Sequence, residues 1–250
     1  DNDRGIKGKW RELGYDRMTQ RLDRWQVVSA DAQRVEIAVE ASLAAVSRAA
    51  CMRLKHRYVV YGSGDVVIDT KVMVMGLGLP PLPRLGLRFA MPGTMDRMAW
   101  CGRGPHDSYR DFRDSAAHGV WSSLVRDQYV PYVLPQEHGT KSDSRWLAVT
   151  DIRGSGLLAA SDATFAVSAL AHSQEDLDKA AHTHELRADG LTHVRLDHLH
   201  HGLGSNSCGP APQPQHFLKA DGEHAFTVRL RGFHSDLWTP GRLAKVWPEG

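Results

Sequence analysis

Apolar and polar side chains alternate along much of this chain with the two-residue period that is typical of β-strands. The clearest case is the segment 34–45, in which every second position is apolar. These positions are Val35, Ile37, Val39, Ala41 and Leu43. Because successive side chains of a strand point to opposite faces, the segment predicts a strand with one face buried and one face polar.

Similar short runs recur along the chain, separated by glycine, proline and aspartate, which favour turns. They predict further strands at 22–29, 56–61, 66–74, 85–89, 157–160, 164–170, 192–199 and 225–232. The turn Gly62-Ser63-Gly64-Asp65 predicts a hairpin between two of them. Ser173 is predicted to cap a short helix, because acidic residues fill the first turn after it. Helical periodicity is otherwise scarce, so the pattern favours a single all-β sandwich.

The segment 97–146 combines short predicted strands with two elaborate polar loops. Strands are predicted at 98–100, 129–133 and 145–149, and Pro131 makes the second of them an edge strand or a bulge. The loops between them are rich in polar and aromatic side chains. Loops of this kind on a β scaffold are where function tends to be found.

Composition excludes several classes of function. The chain has 250 residues, 42% of them hydrophobic, and its 31 basic and 29 acidic residues leave a net charge of +2. This balance does not support binding to nucleic acid or to anionic membranes. No apolar run is long enough to span a bilayer, and no secretory leader is evident, while the start Asp1-Asn2-Asp3 suggests an excised fragment. An odd number of distant cysteines, Cys51, Cys101 and Cys208, argues against a disulfide framework and predicts a cytoplasmic location.

Carboxylates in the two polar loops are the first candidates for chemistry. Retaining glycosidases use two carboxylates about 5 Å apart. The loop acids are Asp107, Asp111, Asp114, Glu137 and Asp143. We predict that they are structural, because Arg103, Arg110 and Arg145 are near them in sequence and buried loop carboxylates are usually paired. Arg145 in particular is predicted to pair with one of these acids, and Trp146 to be buried.

Histidines are the second candidates. His198, His200 and His201 follow His182 and His184 in the sequence, but a zinc site needs three or four converging ligands. The spacing around His182 is not that of a zincin helix, and separation in sequence gives no convergence. We therefore predict no metal site in this chain.

Three sequence runs resemble the C-terminal domain of the β-galactosidases of glycoside hydrolase family 2. They are W-C-G-R-G-P-H-D-S-Y-R-D from Trp100, Y-V-P-Y-V-L-P-Q-E-H-G from Tyr129, and D-S-R-W-L from Asp143. Asp107 stands where that family usually has Glu, Phe112 where it has Arg, and His138 where it has Asn. The D-N-D start and a later glycine loop at 202–210 extend the resemblance over nearly the whole chain.

The resemblance implies an antiparallel super-sandwich like that of galactose mutarotase, as one domain over 1–250. Within it, 1–21 would be a leading segment and 234–250 a tail. The implied parent enzyme hydrolyses terminal non-reducing β-D-galactosides with retention. In that family both catalytic glutamates belong to a separate barrel, so no residue of this chain is predicted to be catalytic and the chain alone is predicted to be inactive.

The loop 202–210 is the best candidate for substrate contact, because the family's loop reaches across to the barrel. We predict that His200, Asn206, Ser207 and Cys208 contact substrate. In the family a tryptophan of this loop forms an apolar platform for the leaving group. Cys208 stands at that place here, which changes the expected leaving-group preference.

The resemblance also implies partners: a β-galactoside, the barrel of the parent enzyme and further copies of the parent, with a role in lactose catabolism. No cofactor is expected in this chain, and any Mg²⁺ or Na⁺ of the parent would lie in the other domains. Two alternatives stay open. A stand-alone mutarotase-like epimerase predicts a His–Glu pair converging on one face, and a non-catalytic carbohydrate-binding module predicts a row of exposed aromatic side chains. A glycosidase domain instead predicts a bare apolar patch of interface size.

Overall fold

The computed structural model describes residues 4–76, 78–203 and 211–248. The helices are α1 (Arg4–Leu13), α2 (Gln174–Lys179) and α3 (Pro240–Leu243), and short 3-10 turns lie at Tyr15–Arg17, Val125–Gln128, Thr183–Glu185 and Pro214–His216. The strands are β1 (Met18–Ala30), β2 (Arg34–Ala45), β3 (Met52–Tyr61), β4 (Asp65–Val74), β5 (Arg84–Pro92), β6 (Arg97–Gly104), β7 (Ala117–Leu124), β8 (Lys141–Thr150), β9 (Ser155–Leu170), β10 (Leu191–His200) and β11 (Glu223–His234). The antiparallel all-β fold predicted from the alternation is confirmed.

The chain divides into two compact units. The first contains residues 1–84, 200–230 and 248–250, and the second contains residues 85–199 and 231–247. Compactness alone does not decide whether the units fold as one domain, so the single domain over 1–250 stays a prediction. Within the described residues, no helix has both the length and the apolar character needed to cross a membrane.

The first unit is an antiparallel sheet in which β1, β2, β3 and β4 pair in chain order. The polar face of this sheet carries cross-strand ion pairs such as Arg57 with Glu36, at 2.7 Å. Asp65 of β4 and Arg229 of β11 form a 2.6 Å ion pair that is almost completely buried. Such a pair is strongly destabilised when only one partner is removed, because a buried charge then remains.

The second unit is built around β6, which pairs with β7 on one side and with β8 on the other. β9 pairs with β8 and β10, and β5 pairs with β10. β8 is buried on both faces for much of its length, and Trp146, Ala148, Leu158 and Ala160 form a core cluster with Leu243 of α3. The tail 234–250 therefore contains a helical turn, and Trp247 packs against this cluster, whereas Trp238 is exposed.

One strand prediction in the second unit is wrong, and one strand of this unit was not predicted. Residues 129–133 form a turn, in which the Tyr132 amide donates to the Val130 carbonyl at 2.8 Å, and Pro131 has no amide hydrogen to offer a partner strand. The unpredicted strand β7 pairs with β6 instead. Its glycine, serines and histidine weaken the apolar alternation, so no period-two pattern marks this segment. The predicted strands at 157–160 and 164–170 are one continuous strand, β9.

Candidate functional site

The two polar loops are bound to each other in the second unit through Asp143, at the start of β8. The Arg103 Nε donates to Asp143 Oδ2 at 3.0 Å, and the Arg113 Nη1 donates to Asp143 Oδ1 at 2.8 Å. Arg103 also donates to the carbonyls of Arg113 and Ala116. Both oxygens of Asp143 are thus occupied by guanidinium groups, an arrangement that suits a structural clamp better than a nucleophile.

The other loop acids with defined contacts also bond within these loops. Glu137 Oε1 accepts hydrogen bonds from the Tyr109 hydroxyl and the Thr140 hydroxyl, both at 3.1 Å. Asp107 Oδ2 accepts from the amide of Gly139 at 3.3 Å. These contacts agree with the structural role predicted for the acids.

The prediction for Arg145 is wrong, and the prediction for Trp146 is confirmed. Arg145 is exposed and makes no ion pair within the described residues, whereas Trp146 is only 6% exposed. The reason is strand geometry. Ser144 and Trp146 are buried on either side of Arg145, so the arginine side chain points to solvent.

Lys141 is an unexpected buried cation at the same loop junction. Its side chain is 2% exposed, and its ammonium lies 5.2 Å from the centre of the Trp100 ring. Burial lowers the pKa of Lys141 to about 8, and the Asp107 carboxylate opposes that shift in part. Sequence reasoning missed this residue because a lysine in a polar loop is usually exposed.

A cavity of about 190 Å³ lies beside His138, the residue that replaces the family's asparagine. His138 is 1% exposed, and its Nδ1 lies 2.8 Å from the Gln136 carbonyl. The Tyr129 ring stands edge-on to both His138 and His172. His138 thus serves the packing of the loop 129–140, and its Nε2 has no hydrogen-bond partner among the described residues.

In the first unit, the base of the predicted substrate loop is firmly anchored. His200 is buried, and its Nδ1 lies 2.5 Å from the His201 carbonyl. His201 stacks on Phe217, meets the edge of Trp10, and accepts a hydrogen bond from the Leu218 amide at Nδ1. These contacts place His200 at the start of the loop.

The rest of the predicted substrate loop lies outside the described residues. Asn206, Ser207 and Cys208 fall in this part of the chain. The assignment of His200, Asn206, Ser207 and Cys208 to substrate contact therefore stays a prediction.

One group of potential metal ligands does converge, although the sequence predicted none. His182, His184 and Glu185 each offer a ligand atom, and these atoms lie within 4.8 Å of one another. The His182 Nδ1 is 3.1 Å from Glu185 Oε1, and Glu185 Oε2 accepts from the Ala181 amide at 2.8 Å. The contact with His182, followed by that with Ala181, lowers the pKa of Glu185. The H-T-H-E run was the available signal, but only a tight 3-10 turn brings its side chains together.

Antiparallel sheets that carry long, internally bonded loops place this chain in the class of all-β domains. The model of a family described as "Beta galactosidase small chain" matches residues 1–230. The chain therefore belongs to the β-galactosidase small-chain family, and the predicted resemblance is confirmed.

Curated relatives agree with this assignment. The chain is 31% identical over 223 residues to a β-galactosidase of Vibrio cholerae, covering 89% of this chain and 21% of that protein. It is 29% identical over 230 residues to a β-galactosidase of Actinobacillus pleuropneumoniae, covering 92% of this chain and 22% of that protein. The chain thus spans about a fifth of the length of these relatives.

The comparison with solved structures includes two proteins that match at low similarity. A GalM/aldose epimerase homologue from C. elegans has a TM-score of 0.39 and 11% identity, covering 84% of this chain and 68% of that one. Galactose 1-epimerase from Lactobacillus acidophilus has a TM-score of 0.37 and 12% identity, covering 87% of this chain and 66% of that one.

Proposed function

We propose that this chain is the C-terminal domain of a β-galactosidase that hydrolyses terminal non-reducing β-D-galactosides with retention. It completes one wall of an active site whose two catalytic glutamates lie in a barrel domain outside this chain. The observation that carries the proposal is the family match, together with relatives named β-galactosidase of which the chain covers about a fifth.

A row of exposed apolar side chains on β1 supports the proposal that another domain of the parent enzyme packs against this chain. Leu22, Trp25 and Val27 are 57%, 60% and 53% exposed. A register shift between Leu22 and Arg24 keeps Leu22 on the same face as Trp25, and these residues pair with Ala41, Val39 and Ile37 of β2. A contiguous apolar row of this kind is typical of a surface that another protein domain covers.

The contacts of the loop carboxylates support the proposal that the isolated chain does not hydrolyse β-galactosides. Hydrolysis with retention needs an acid with a raised pKa and a nucleophilic carboxylate at a fixed distance from it. Asp143 is held by two arginines, and Glu137 and Asp107 bond within the loops. We infer that these residues hold the wall of the site and that the barrel supplies the reaction.

The wider setting of the parent is also proposed. We infer a cytoplasmic homo-oligomer that serves lactose catabolism, with any Mg²⁺ or Na⁺ bound in domains outside this chain. The binding-module alternative has weaker support, because the exposed aromatic residues Trp25, Tyr132 and Trp238 lie on three separate segments. The epimerase alternative predicted a His–Glu pair converging on one face. His182 and Glu185 do meet at 3.1 Å, but their side chains are 64% and 41% exposed on a surface turn, which does not enclose a sugar.

The test is a nitrophenyl β-D-galactoside assay on the isolated chain and on the full-length parent. We expect turnover by the parent only. Turnover by the isolated chain that is lost in Glu137→Gln would contradict the proposal, because this chain would then carry its own catalytic acid.

A second assay tests the leaving-group role of the loop 202–210. In the parent, Cys208→Trp is expected to change the KM or the transfer of galactose to acceptors, since a ring face stacks on sugar C–H groups. Cys208→Ser is the matched control and should leave both unchanged, because it adds no ring. If both variants and the parent have the same KM and transfer galactose to the same acceptors equally well, the loop 202–210 has no role in binding the leaving group.

A further inference from the structure

The connection between α2 and β10 presents a compact cluster of ligand side chains on a rigid base. Leu177 of α2 is buried in a cluster with Ala180 and Leu186 of this connection and with Leu170, and Tyr129 packs against it. The Tyr129 hydroxyl also bonds to the Thr183 hydroxyl at 3.3 Å. The backbone of the 3-10 turn Thr183–Glu185 is thus fixed from below, while His182, His184 and Glu185 are exposed above it.

The separations within the cluster suit a metal ion. The 3.1 Å between His182 Nδ1 and Glu185 Oε1 is close to the roughly 3.3 Å that separates two ligand atoms around a tetrahedral zinc ion with bonds of about 2.0–2.1 Å. The amide of Ala181 holds the other oxygen of Glu185 at 2.8 Å, which leaves Oε1 directed at the histidine. We propose that His182, His184 and Glu185 form a surface binding site for one divalent transition-metal ion of the zinc type.

His184 completes the set by a rotation of its side chain. Its ring stacks on that of His182 with centroids 5.4 Å apart and an angle of 19° between the planes. From this position a turn about its side-chain bonds brings a ring nitrogen toward the ion, and the exposure of the side chain leaves room for that turn. The rotation has an entropic cost, so binding is weaker than at a closed structural zinc site.

The ligand chemistry selects the kind of ion. Two imidazoles and one carboxylate suit Zn²⁺, Ni²⁺ or Cu²⁺, whereas Mg²⁺ and Ca²⁺ prefer sets made of oxygen atoms alone. Three protein ligands leave at least one position for water. A bound metal ion would be coordinated by both His182 and Glu185, which flank the turn. It would therefore stabilise the connection between α2 and β10.

The experiment is a calorimetric titration of Zn²⁺ into the metal-free chain, expressed without a histidine tag. We expect one ion to bind with an affinity that falls about tenfold or more in His184→Ala and in Glu185→Gln. The matched control is His193→Ala. His193 also faces a carboxylate, that of Asp189 at 3.0 Å, but it belongs to no group of three ligands in the described part of the chain.

A second readout separates ligand loss from misfolding. Saturating Zn²⁺ is expected to raise the melting temperature of the wild-type chain and of His193→Ala, and to leave that of His184→Ala unchanged. Without metal, His184→Ala and Glu185→Gln should melt at the wild-type temperature, because these two side chains are exposed. The His193 side chain is only 20% exposed, so for His193→Ala the readout is the rise in melting temperature when Zn²⁺ is added. Equal Zn²⁺ affinity in wild type and His184→Ala, or an equal loss in His193→Ala, would overturn the proposal.

Discussion

At the scale of single residues, Asp143 is expected to contribute to stability through its two ion pairs. Its φ of 52° is left-handed, a conformation that asparagine also tolerates, so Asp143→Asn should keep the backbone and remove the charge. Arg103 and Arg113 would lose their ionic partner, and we expect a loss of about 1–2 kcal/mol in the free energy of unfolding, measured with urea.

Arg145→Ala is the control for this clamp. Because Arg145 is exposed and makes no ion pair in the described structure, its loss should change stability by less than about 0.5 kcal/mol. If Arg145→Ala were as damaging as Asp143→Asn, the assignment of the clamp to Arg103 and Arg113 would be wrong.

Lys141 should make stability depend on pH. Its folded pKa of about 8 lies below the usual value for lysine, so the unfolded chain binds more protons between the two values. The destabilisation is complete below about pH 8 and declines as the pH rises toward about 10. We expect the free energy of unfolding to gain about 2 kcal/mol over this range from Lys141.

Lys141→Met tests this source of pH dependence. The variant keeps an apolar stem of similar length, so it should be more stable than wild type at pH 7 and show a flatter profile above pH 8 in urea unfolding. Lys55→Met, at an exposed position of β3, should keep the wild-type profile. A profile that is unchanged in Lys141→Met would show that another group titrates.

At the scale of elements, the α2 cap links sequence directly to stability. Ser173 was predicted to cap this helix, and its hydroxyl accepts a hydrogen bond from the Asp176 amide at 3.0 Å. Ser173→Ala should cost about 1 kcal/mol in thermal or urea unfolding, whereas Ser173→Asp keeps an accepting oxygen and should stay near wild type. Equal losses in both variants would mean that the serine acts by packing and not as a cap.

Strand prediction succeeded where apolar residues recur along a segment and failed where they are sparse or interrupted by proline. β2 has the predicted bounds because its apolar residues alternate without interruption. β7 escaped prediction because it is largely exposed and needs only backbone pairing with β6. Tyr129 was assigned to a predicted strand, but its edge-on contacts with His138 and His172 place it in a cluster of loop residues.

At the scale of the whole molecule, the apolar row on β1 predicts where the rest of the parent docks. In the isolated chain, Trp25→Gln should change stability by less than about 0.5 kcal/mol, because the side chain is 60% exposed. In the full-length parent the same substitution should lower the melting temperature, since it would remove a buried contact between domains.

Arg24→Ala is the matched control for that row. Arg24 lies on β1 next to Trp25 but on the opposite face, where it bonds to Gln26 at 3.0 Å. It should have little effect in either protein. Equal melting temperatures for the parent and its Trp25→Gln variant would exclude this face as the docking surface.

The amino-acid sequence by itself determined the described strands other than β7, the α2 cap, the buried Trp146 and the family, because alternation, capping and motifs are local features of the chain. Only the tertiary structure decided which partners meet. Asp143 is held by Arg103, 40 residues away, and not by its neighbour Arg145, and Asp65 finds Arg229 at a separation of 164 residues. Such pairings depend on strand register and on which side of a strand is buried. A shift of one residue along a strand moves a side chain to the other face, so proximity in sequence does not predict a contact in the fold.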